Sequence, residues 1–218
     1  MASLQTNWQP WKGASMARME LPPHPWVAVA VGRRGSGKTW QGIQWMRLWR
    51  VTAERNGMHG KVLALDNVAP EPPDERYMAG WADYYAPEVP DEESLAKLGP
   101  IGLLAVDESD VHAPQSAANK LPTPYVIDIL RRGRHRGTSV FLATQRPARL
   151  CYDAWGLADT VIICNLTSKR DLDRVCELEG VEQYRRLIAT TTRPGPVVVW
   201  TPAGVALWGP GPKSGAKS

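Results

Sequence analysis

The sequence has one phenylalanine, three cysteines and no long apolar run among its 218 residues. Three cysteines without a Cys-x-x-Cys pair match neither a disulfide-stapled secreted domain nor the ligand spacing of a structural zinc site. A membrane-spanning helix needs about 18 consecutive apolar residues, and the N-terminal segment lacks the apolar stretch of a secretory signal. We therefore expect no membrane span and a soluble protein in a reducing compartment.

The composition suits one globular domain. Hydrophobic residues make up 43% of the chain, which is enough for a substantial core and excludes global disorder. Ten tryptophans are present, and three of them fall on or near the first predicted helix. We expect Trp40, Trp45 and Trp49 to lie in the core or in subunit contacts rather than to stack on bases.

Charge is distributed unevenly along the chain. The net charge is +7 over residues 1–65, −10 over residues 66–110 and +7 over residues 111–218. The basic outer parts could face nucleic acid. Alternatively, residues 67–100, which contain six prolines, form an acidic surface insertion in a slightly basic domain. Charge alone leaves both interpretations open.

Predicted strands and helices alternate. Short apolar runs predict buried strands at 26–31, 61–65, 101–106, 139–143 and 160–164. Helical patterns cover 38–50, 91–98, the stretch after Pro124 to about 135, and 168–179. Two further strands, 197–201 and 205–208, flank a Pro-Ala-Gly turn and predict a hairpin. The sequence therefore predicts an α/β fold with a mostly parallel central sheet, helices on both faces and a C-terminal β-hairpin.

These features divide the chain into three parts. Residues 1–25 are expected to form an irregular N-terminal arm. Residues 26–208 form the predicted domain, with residues 67–100 as its acidic, proline-rich insertion. Residues 209–218 are rich in Gly, Pro, Lys and Ser and are expected to form a flexible tail.

Residues 32–39 read Gly-Arg-Arg-Gly-Ser-Gly-Lys-Thr and match the P-loop pattern Gly-x4-Gly-Lys-Ser/Thr, whose backbone N–H groups surround a phosphate. The motif lies between a predicted strand and a predicted helix, as phosphate binding requires. The lysine would reach the β- and γ-phosphates, and the threonine would ligate Mg²⁺. A glycine-rich turn without nucleotide is the alternative. The candidate nucleotide-binding residues are Gly32, Gly35, Ser36, Gly37, Lys38 and Thr39.

Two acids follow the strand at 101–106. Asp107 would hold Mg²⁺ through water, and Glu108 would orient and polarise the attacking water. Two acids after a strand are common, and an ordinary strand-to-loop exit is the alternative. Because a P-loop precedes this pair by 69 positions, we interpret Asp107 as a metal-site residue and Glu108 as the residue that promotes hydrolysis.

The third group of candidates surrounds the strand at 139–143. Gln145 follows that strand, so its amide is expected at the same sheet edge as Asp107, near the γ-phosphate or the attacking water. One of the preceding arginines could act as an arginine finger, in its own subunit or across an interface. Arg134 is the first candidate and Arg136 the second. The alternatives are a surface loop position for Gln145 and, for the arginines, a solvated basic face or DNA phosphate contacts. The arginines are Arg131, Arg132, Arg134 and Arg136.

In this order, segments 32–39, 103–108 and 133–147 resemble the FtsK–HerA superfamily of ring-forming, DNA-pumping ATPases. The last segment reads Gly-Arg-His-Arg-Gly…Ala-Thr-Gln-Arg-Pro and is the most specific part. The resemblance covers about residues 26–180, continuing weakly through 158–171. It implies a three-layer P-loop NTPase fold of the RecA-like ASCE type, ATP and Mg²⁺ as cofactors, and a homo-hexameric ring that threads double-stranded DNA.

The compact size is similar to the viral genome-packaging branch of this superfamily. That resemblance implies packaging of a viral genome into a preformed capsid, with capsid vertex proteins as partners, in the host cytoplasm or in association with the virion. The alternatives are a bacterial or plasmid DNA motor for conjugation or chromosome processing, and a nucleotide-binding assembly protein that moves nothing. A small-molecule kinase would need a basic lid and an acceptor pocket. Residues 67–100 are longer and more acidic than a minimal core of the superfamily.

Overall fold

The computed structural model describes residues 8–10, 22–67, 69, 73–117, 119–191 and 196–210. Within these residues, nine strands form one sheet in the order β1-β9-β8-β7-β2-β6-β5-β3-β4. The six strands from β7 to β4 in this order pair in parallel, and the pairings that involve β8 and β9 are antiparallel. The strands are β1 (Trp8–Pro10), β2 (Val27–Val31), β3 (Lys61–Leu65), β4 (Tyr84–Ala86), β5 (Ile101–Val106), β6 (Ser139–Thr144), β7 (Thr160–Ile163), β8 (Val197–Thr201) and β9 (Gly204–Pro210).

Helices cover both faces of this sheet. They are α1 (Lys38–Arg55), α2 (Glu92–Leu98), α3 (Ser109–His112), α4 (Tyr125–Arg136), α5 (Tyr152–Gly156), α6 (Lys169–Cys176) and α7 (Arg185–Thr190). Single 3₁₀ turns occupy Met78–Trp81, Gln115–Ala117, Pro147–Arg149 and Glu182–Tyr184. In the part of the chain that the structure describes, no helix combines the length and apolar character needed to cross a bilayer.

Alternation along the buried strands builds two separate cores. In β2 the three valines face the layer formed by α4 to α7, whereas Ala28 and Ala30 face α1. Successive side chains of a strand point to opposite faces, so a strand buried on both faces reads as a continuous apolar run. On the α1 side, Trp26 packs edge-to-face on Trp45, with ring centroids 4.9 Å apart. The three-layer α/β architecture and the C-terminal hairpin β8–β9 agree with the prediction.

Four local features differ from expectation. The 67–100 segment contains β4, which pairs in parallel with β3 at the sheet edge, as well as the 3₁₀ turn Met78–Trp81. In the segment expected to be an irregular arm, Trp8–Pro10 forms β1 against β9, and β9 itself continues to Pro210. A strand of three residues is too short to show a periodic pattern in the sequence. Both β1 and β4 form by pairing with strands that are distant in the chain. Residues 1–7, 11–21 and 211–218 lie outside the described residues.

The acidic segment, residues 67–100, packs against the side of α1. The Arg47 guanidinium lies 3.9 Å from the centroid of the Trp81 ring. Arg50 donates to the Trp81 carbonyl oxygen at 2.9 Å and pairs with Asp83 at 3.1 Å. A Cβ on Gly42 would lie 2.3 Å from the Met78 sulfur, so α1 and the 3₁₀ turn are in close contact at this position.

The sheet order brings the predicted motifs to one edge. β6 lies between β2 and β5, and all three strands run in parallel. The segments that follow their carboxyl ends therefore meet at the same edge of the sheet. Gly32 begins the segment after β2, Gln145 the segment after β6, and Asp107 the segment after β5.

Candidate active site

The P-loop turns tightly between β2 and α1. Gly32 donates its N–H to the Thr144 carbonyl oxygen at 3.2 Å, and Arg33 donates to that of Asn165 at 2.8 Å. A Cβ on Gly32 would lie 2.7 Å from Cβ of Cys164, so any larger residue would push the loop off the sheet. Gly37 adopts φ 109°, in the left-handed region that favours glycine. The loop is therefore held by β6 and by the segment after β7.

Lys38 and Thr39 begin α1 and turn inward. The Lys38 side chain is buried, and its Nζ donates to the Arg33 carbonyl oxygen at 3.3 Å, across the loop. Thr39 Oγ1 donates to Oδ2 of Asp107 at 3.1 Å. The Ser36 hydroxyl oxygen is buried and has no hydrogen-bond partner among the described residues. A polar atom left in this state costs free energy, so the loop suits a ligand that accepts hydrogen bonds.

Asp107 lies at the end of β5 and is 4% exposed. Its Oδ1 accepts the N–H of Glu108 at 2.9 Å. Burial raises the pKa of this carboxyl; the N–H of Glu108 opposes the rise, and the nearby Asp66 adds to it. A cation beside Asp107 would favour the ionised form again. The structure thus places Asp107 and Thr39 together, as the sequence predicts.

Glu108 and Gln145 are also in contact. Gln145 Nε2 donates to Oε1 of Glu108. Glu108 adopts φ 46° and ψ 46° and is the only non-glycine residue with a positive φ in the described part of the chain. This backbone conformation is uncommon for such a residue and is often found at functional sites. The amide of Gln145 therefore holds the carboxylate that the sequence assigns to water activation.

Arg134 and Arg136 lie at the opposite edge of the sheet. Arg134 pairs with Asp159 at 2.8 Å, and Asp159 also accepts the N–H of Val27, the first residue of β2. Arg136 pairs with Asp128 at 3.4 Å. The five residues of β2 separate this edge from the P-loop by about 16 Å. In this conformation neither guanidinium lies near the P-loop of its own chain, so a finger role for either requires a neighbouring subunit.

Two further acids, which the sequence patterns did not indicate, lie near Asp107 and Gln145. Asp66 follows β3 and is 2% exposed. Asp110 accepts the Thr144 hydroxyl at 2.5 Å, just before Gln145. A signal for Asp66 was present, because it follows an apolar strand as Asp107 does. A single acid after a strand, however, carries no characteristic spacing.

Similarity to known proteins is found at the level of the fold. No protein-family model matches the sequence, and no curated protein does. The genome packaging NTPase B204 from Sulfolobus turreted icosahedral virus 2 in complex with AMP is similar with a TM-score of 0.62 and 17% identity, over 87% of this chain and 99% of that chain. Its complex with ATPγS gives a TM-score of 0.59 and 16% identity, over 84% and 97%.

A bacterial structure is also similar. The N-terminal domain of zonular occludens toxin from Neisseria meningitidis gives a TM-score of 0.50 and 20% identity, over 82% of this chain and 84% of that chain. At these identities the similarity concerns the fold. The chain thus has a P-loop NTPase fold similar to that of a viral genome-packaging NTPase, as the sequence resemblance implies.

Proposed function

We propose that this protein is a Mg²⁺-dependent ATPase that moves double-stranded DNA and packages a viral genome into a preformed capsid. One observation carries the proposal. A complete P-loop, the Asp107–Glu108 pair and Gln145 converge at one sheet edge, with Gln145 holding Glu108. A protein that only binds nucleotide needs neither Glu108 nor Gln145. Hydrolysis is therefore the activity that this arrangement supports best.

The residues of the site fit a magnesium–nucleotide complex. The backbone N–H groups of the P-loop, the Ser36 hydroxyl and the Lys38 ammonium group would hold the phosphates. Thr39 and Asp107 offer hard oxygen ligands of the kind Mg²⁺ prefers. When bound, Mg²⁺ supplies positive charge that offsets the charge of the β- and γ-phosphates.

Glu108 and Gln145 would act on the attacking water. The Glu108 carboxylate accepts a hydrogen bond from that water and orients it towards the γ-phosphate. Gln145 fixes the position of this carboxylate through its amide. A positioned general base contributes about 10²–10⁴-fold to a rate, so both residues should affect turnover much more than nucleotide affinity.

The DNA part of the proposal is supported by charge and by the structural relative. Residues 1–65 and 111–218 each carry a net charge of +7, which suits phosphate contacts without sequence preference. B204 is a genome packaging NTPase. We extend the proposal to a homo-hexameric ring with Arg134 as a finger across the interface, and to capsid vertex proteins as partners. The protein would act in the host cytoplasm or with the virion.

The experiment that tests this function measures the ATPase rate with and without duplex DNA. We expect Mg²⁺-dependent hydrolysis that rises when duplex of any sequence is added. Lys38→Ala is the matched inactive control, because it removes the P-loop cation. Hydrolysis that is indifferent to DNA would favour the nucleotide-binding assembly protein instead. Normal hydrolysis by Lys38→Ala would contradict the P-loop assignment.

A further inference from the structure

Asp66 and Asp107 occupy matching positions on neighbouring strands. The register between β3 and β5 pairs Leu65 with Val106, and each aspartate is the next residue of its strand. Asp107 donates its N–H to the Leu65 carbonyl oxygen at 2.8 Å, so the pairing continues to the end of both strands. Adjacent strands lie about 4.8 Å apart. The two aspartates therefore leave the sheet side by side.

Strand alternation also places both side chains on the same face. Leu65 and Val106 belong to the core that packs against α4 to α7. The next residue of each strand points to the other face, which is the face of α1. The hydrogen bond from Thr39 on α1 to Asp107 agrees with this direction. The carboxyl group of Asp66 thus lies on the P-loop side of the sheet.

Two carboxylates in this position carry an electrostatic cost. Asp66 is 2% exposed and Asp107 is 4% exposed, and the two carboxyl groups follow paired positions of neighbouring strands. Buried like charges disfavour each other's ionised form and are stable together where a cation offsets them. The Thr39 hydroxyl, which donates to Asp107 from the first turn of α1, places this pair of carboxyl groups next to the P-loop.

Three aspartates of the neighbouring 67–100 segment make structural contacts instead. Asp74 pairs with Arg76, and Asp83 pairs with Arg50 and accepts the N–H of Val62. Asp91 caps α2 by accepting the N–H of Ser94 at 2.7 Å. These contacts are exposed or lie away from the carboxyl end of β3. Asp66 differs from them because it lies beside the metal-site candidate Asp107.

We propose that Asp66 is a second carboxylate of the Mg²⁺ site and positions, together with Asp107, the water molecules that surround the ion. This inference rests on the proposed nucleotide site and adds a residue to it. Asp66 is a positioning residue, because it acts through the hydration shell rather than on the reacting phosphate. Removing such an outer partner generally weakens metal affinity by about 10- to 100-fold.

The test measures ATPγS binding by calorimetry over a MgCl₂ series and in EDTA, so that no turnover is needed. For Asp66→Asn we expect the Mg²⁺ concentration that gives half of the affinity gain to rise by about 10-fold or more. Affinity in EDTA should be no lower than that of the wild type, because the variant removes a negative charge. The melting temperature in EDTA should be equal or higher, since repulsion with Asp107 is relieved.

Asp83→Asn is the matched control, because Asp83 contacts the amino end of β3 rather than its carboxyl end. It removes the ion pair with Arg50 and weakens the hydrogen bond that Asp83 accepts from the Val62 N–H, so it should lower the melting temperature and leave the Mg²⁺ dependence unchanged. A merely structural Asp66 would behave in the same way, and that result would overturn the inference. If Asp66→Asn folds poorly, Asp66→Glu, which keeps the charge but moves it, should still shift the Mg²⁺ midpoint, though less than Asp107→Asn does; an unchanged midpoint would overturn the inference.

Asp107→Asn separates the two proposals. A shifted Mg²⁺ midpoint in Asp107→Asn with none in Asp66→Asn would overturn the role of Asp66 and leave the nucleotide site intact. Absence of ATPγS binding by the wild-type protein would overturn the proposed function and this inference with it.

Discussion

Gln145 donates its side-chain amide to the carboxylate of Glu108, which lies 37 positions earlier in the chain. The two residues follow neighbouring strands, β6 and β5. Just before Gln145, Thr144 donates its hydroxyl to Asp110 at 2.5 Å. Two side-chain contacts thus join the carboxyl end of β6 to the segment that follows β5. The position of the Glu108 carboxylate therefore depends on β6, which lies between β5 and β2.

We expect Glu108→Gln to retain ATP binding and to lose at least about 100-fold in turnover, because an amide cannot polarise water as a carboxylate does. Steady-state hydrolysis and calorimetric ATP titration measure the two quantities separately. Parallel losses in binding and turnover would instead assign Glu108 a structural role, which its left-handed backbone makes worth testing. A melting curve of the variant serves as the control for folding.

Arg134→Ala is expected to lose about 10³–10⁵-fold in turnover if its guanidinium serves the P-loop of a neighbouring subunit. The same variant mixed with Lys38→Ala should recover part of the activity, because some interfaces then join an intact P-loop to an intact Arg134. The ATPase rate is measured over a range of mixing ratios. Arg76→Ala, which removes an exposed arginine paired with Asp74, is the control for a lost surface charge.

Two results would contradict the shared site. Full activity of Arg134→Ala would remove this residue from the mechanism, and Arg136→Ala would then be the next variant to examine. An absence of recovery at every ratio, in oligomers shown to exchange subunits, would argue against a finger supplied by a neighbour.

Duplex DNA should bind without sequence preference and with a strong dependence on salt. Each neutralised phosphate releases counterions, so even two such contacts reduce affinity by about tenfold between 50 and 200 mM salt. Fluorescence anisotropy with two unrelated duplexes measures both properties. Affinity that is constant over the salt series, or confined to one duplex, would be inconsistent with a DNA motor.

Gly42→Ala should destabilise the fold by about 1–3 kcal/mol, because a Cβ would lie 2.3 Å from the Met78 sulfur and 2.9 Å from the Phe141 ring. Both neighbours are fully buried. Gly156→Ala is the matched control, since a Cβ there meets nothing within 4 Å. Thermal melts should show a decrease of about 2–4 °C per kcal/mol for the first variant. Similar melting temperatures for both would mean that the contact between Gly42 and Met78 is loose.

The parts of the site that the sequence predicts follow continuous apolar strands. Each of Gly32, Asp107 and Gln145 comes at the end of such a run, and parallel strands bring their carboxyl ends to one edge. Topology also explains the position of Arg134: α4 leads into the amino end of β6, so its last turn lies at the opposite edge from Gln145. Arg134 and Gln145 are close in the sequence, but β6 lies between them and carries the chain from one edge of the sheet to the other.

The features that were not predicted depend on pairing over long distances. β4 is three residues long and forms against β3, and no local pattern reveals that pairing. Asp66 follows β3 as a lone acid, and its significance comes from the β5 neighbour that brings Asp107 beside it. Short edge strands and polar residues paired across strands can be predicted only when the order of the strands is known. That order results from the packing of the whole core and not from any local pattern.

The contact between α1 and the acidic segment has a mechanical consequence. The same helix begins with Lys38 in the P-loop and carries Gly42, Arg47 and Arg50 against the turn that contains Trp81. Close-packed elements move as rigid units rather than deforming. A tilt of α1 that accompanies a change of nucleotide would therefore carry the acidic 67–100 segment with it, so the orientation of this segment would report the state of the nucleotide site.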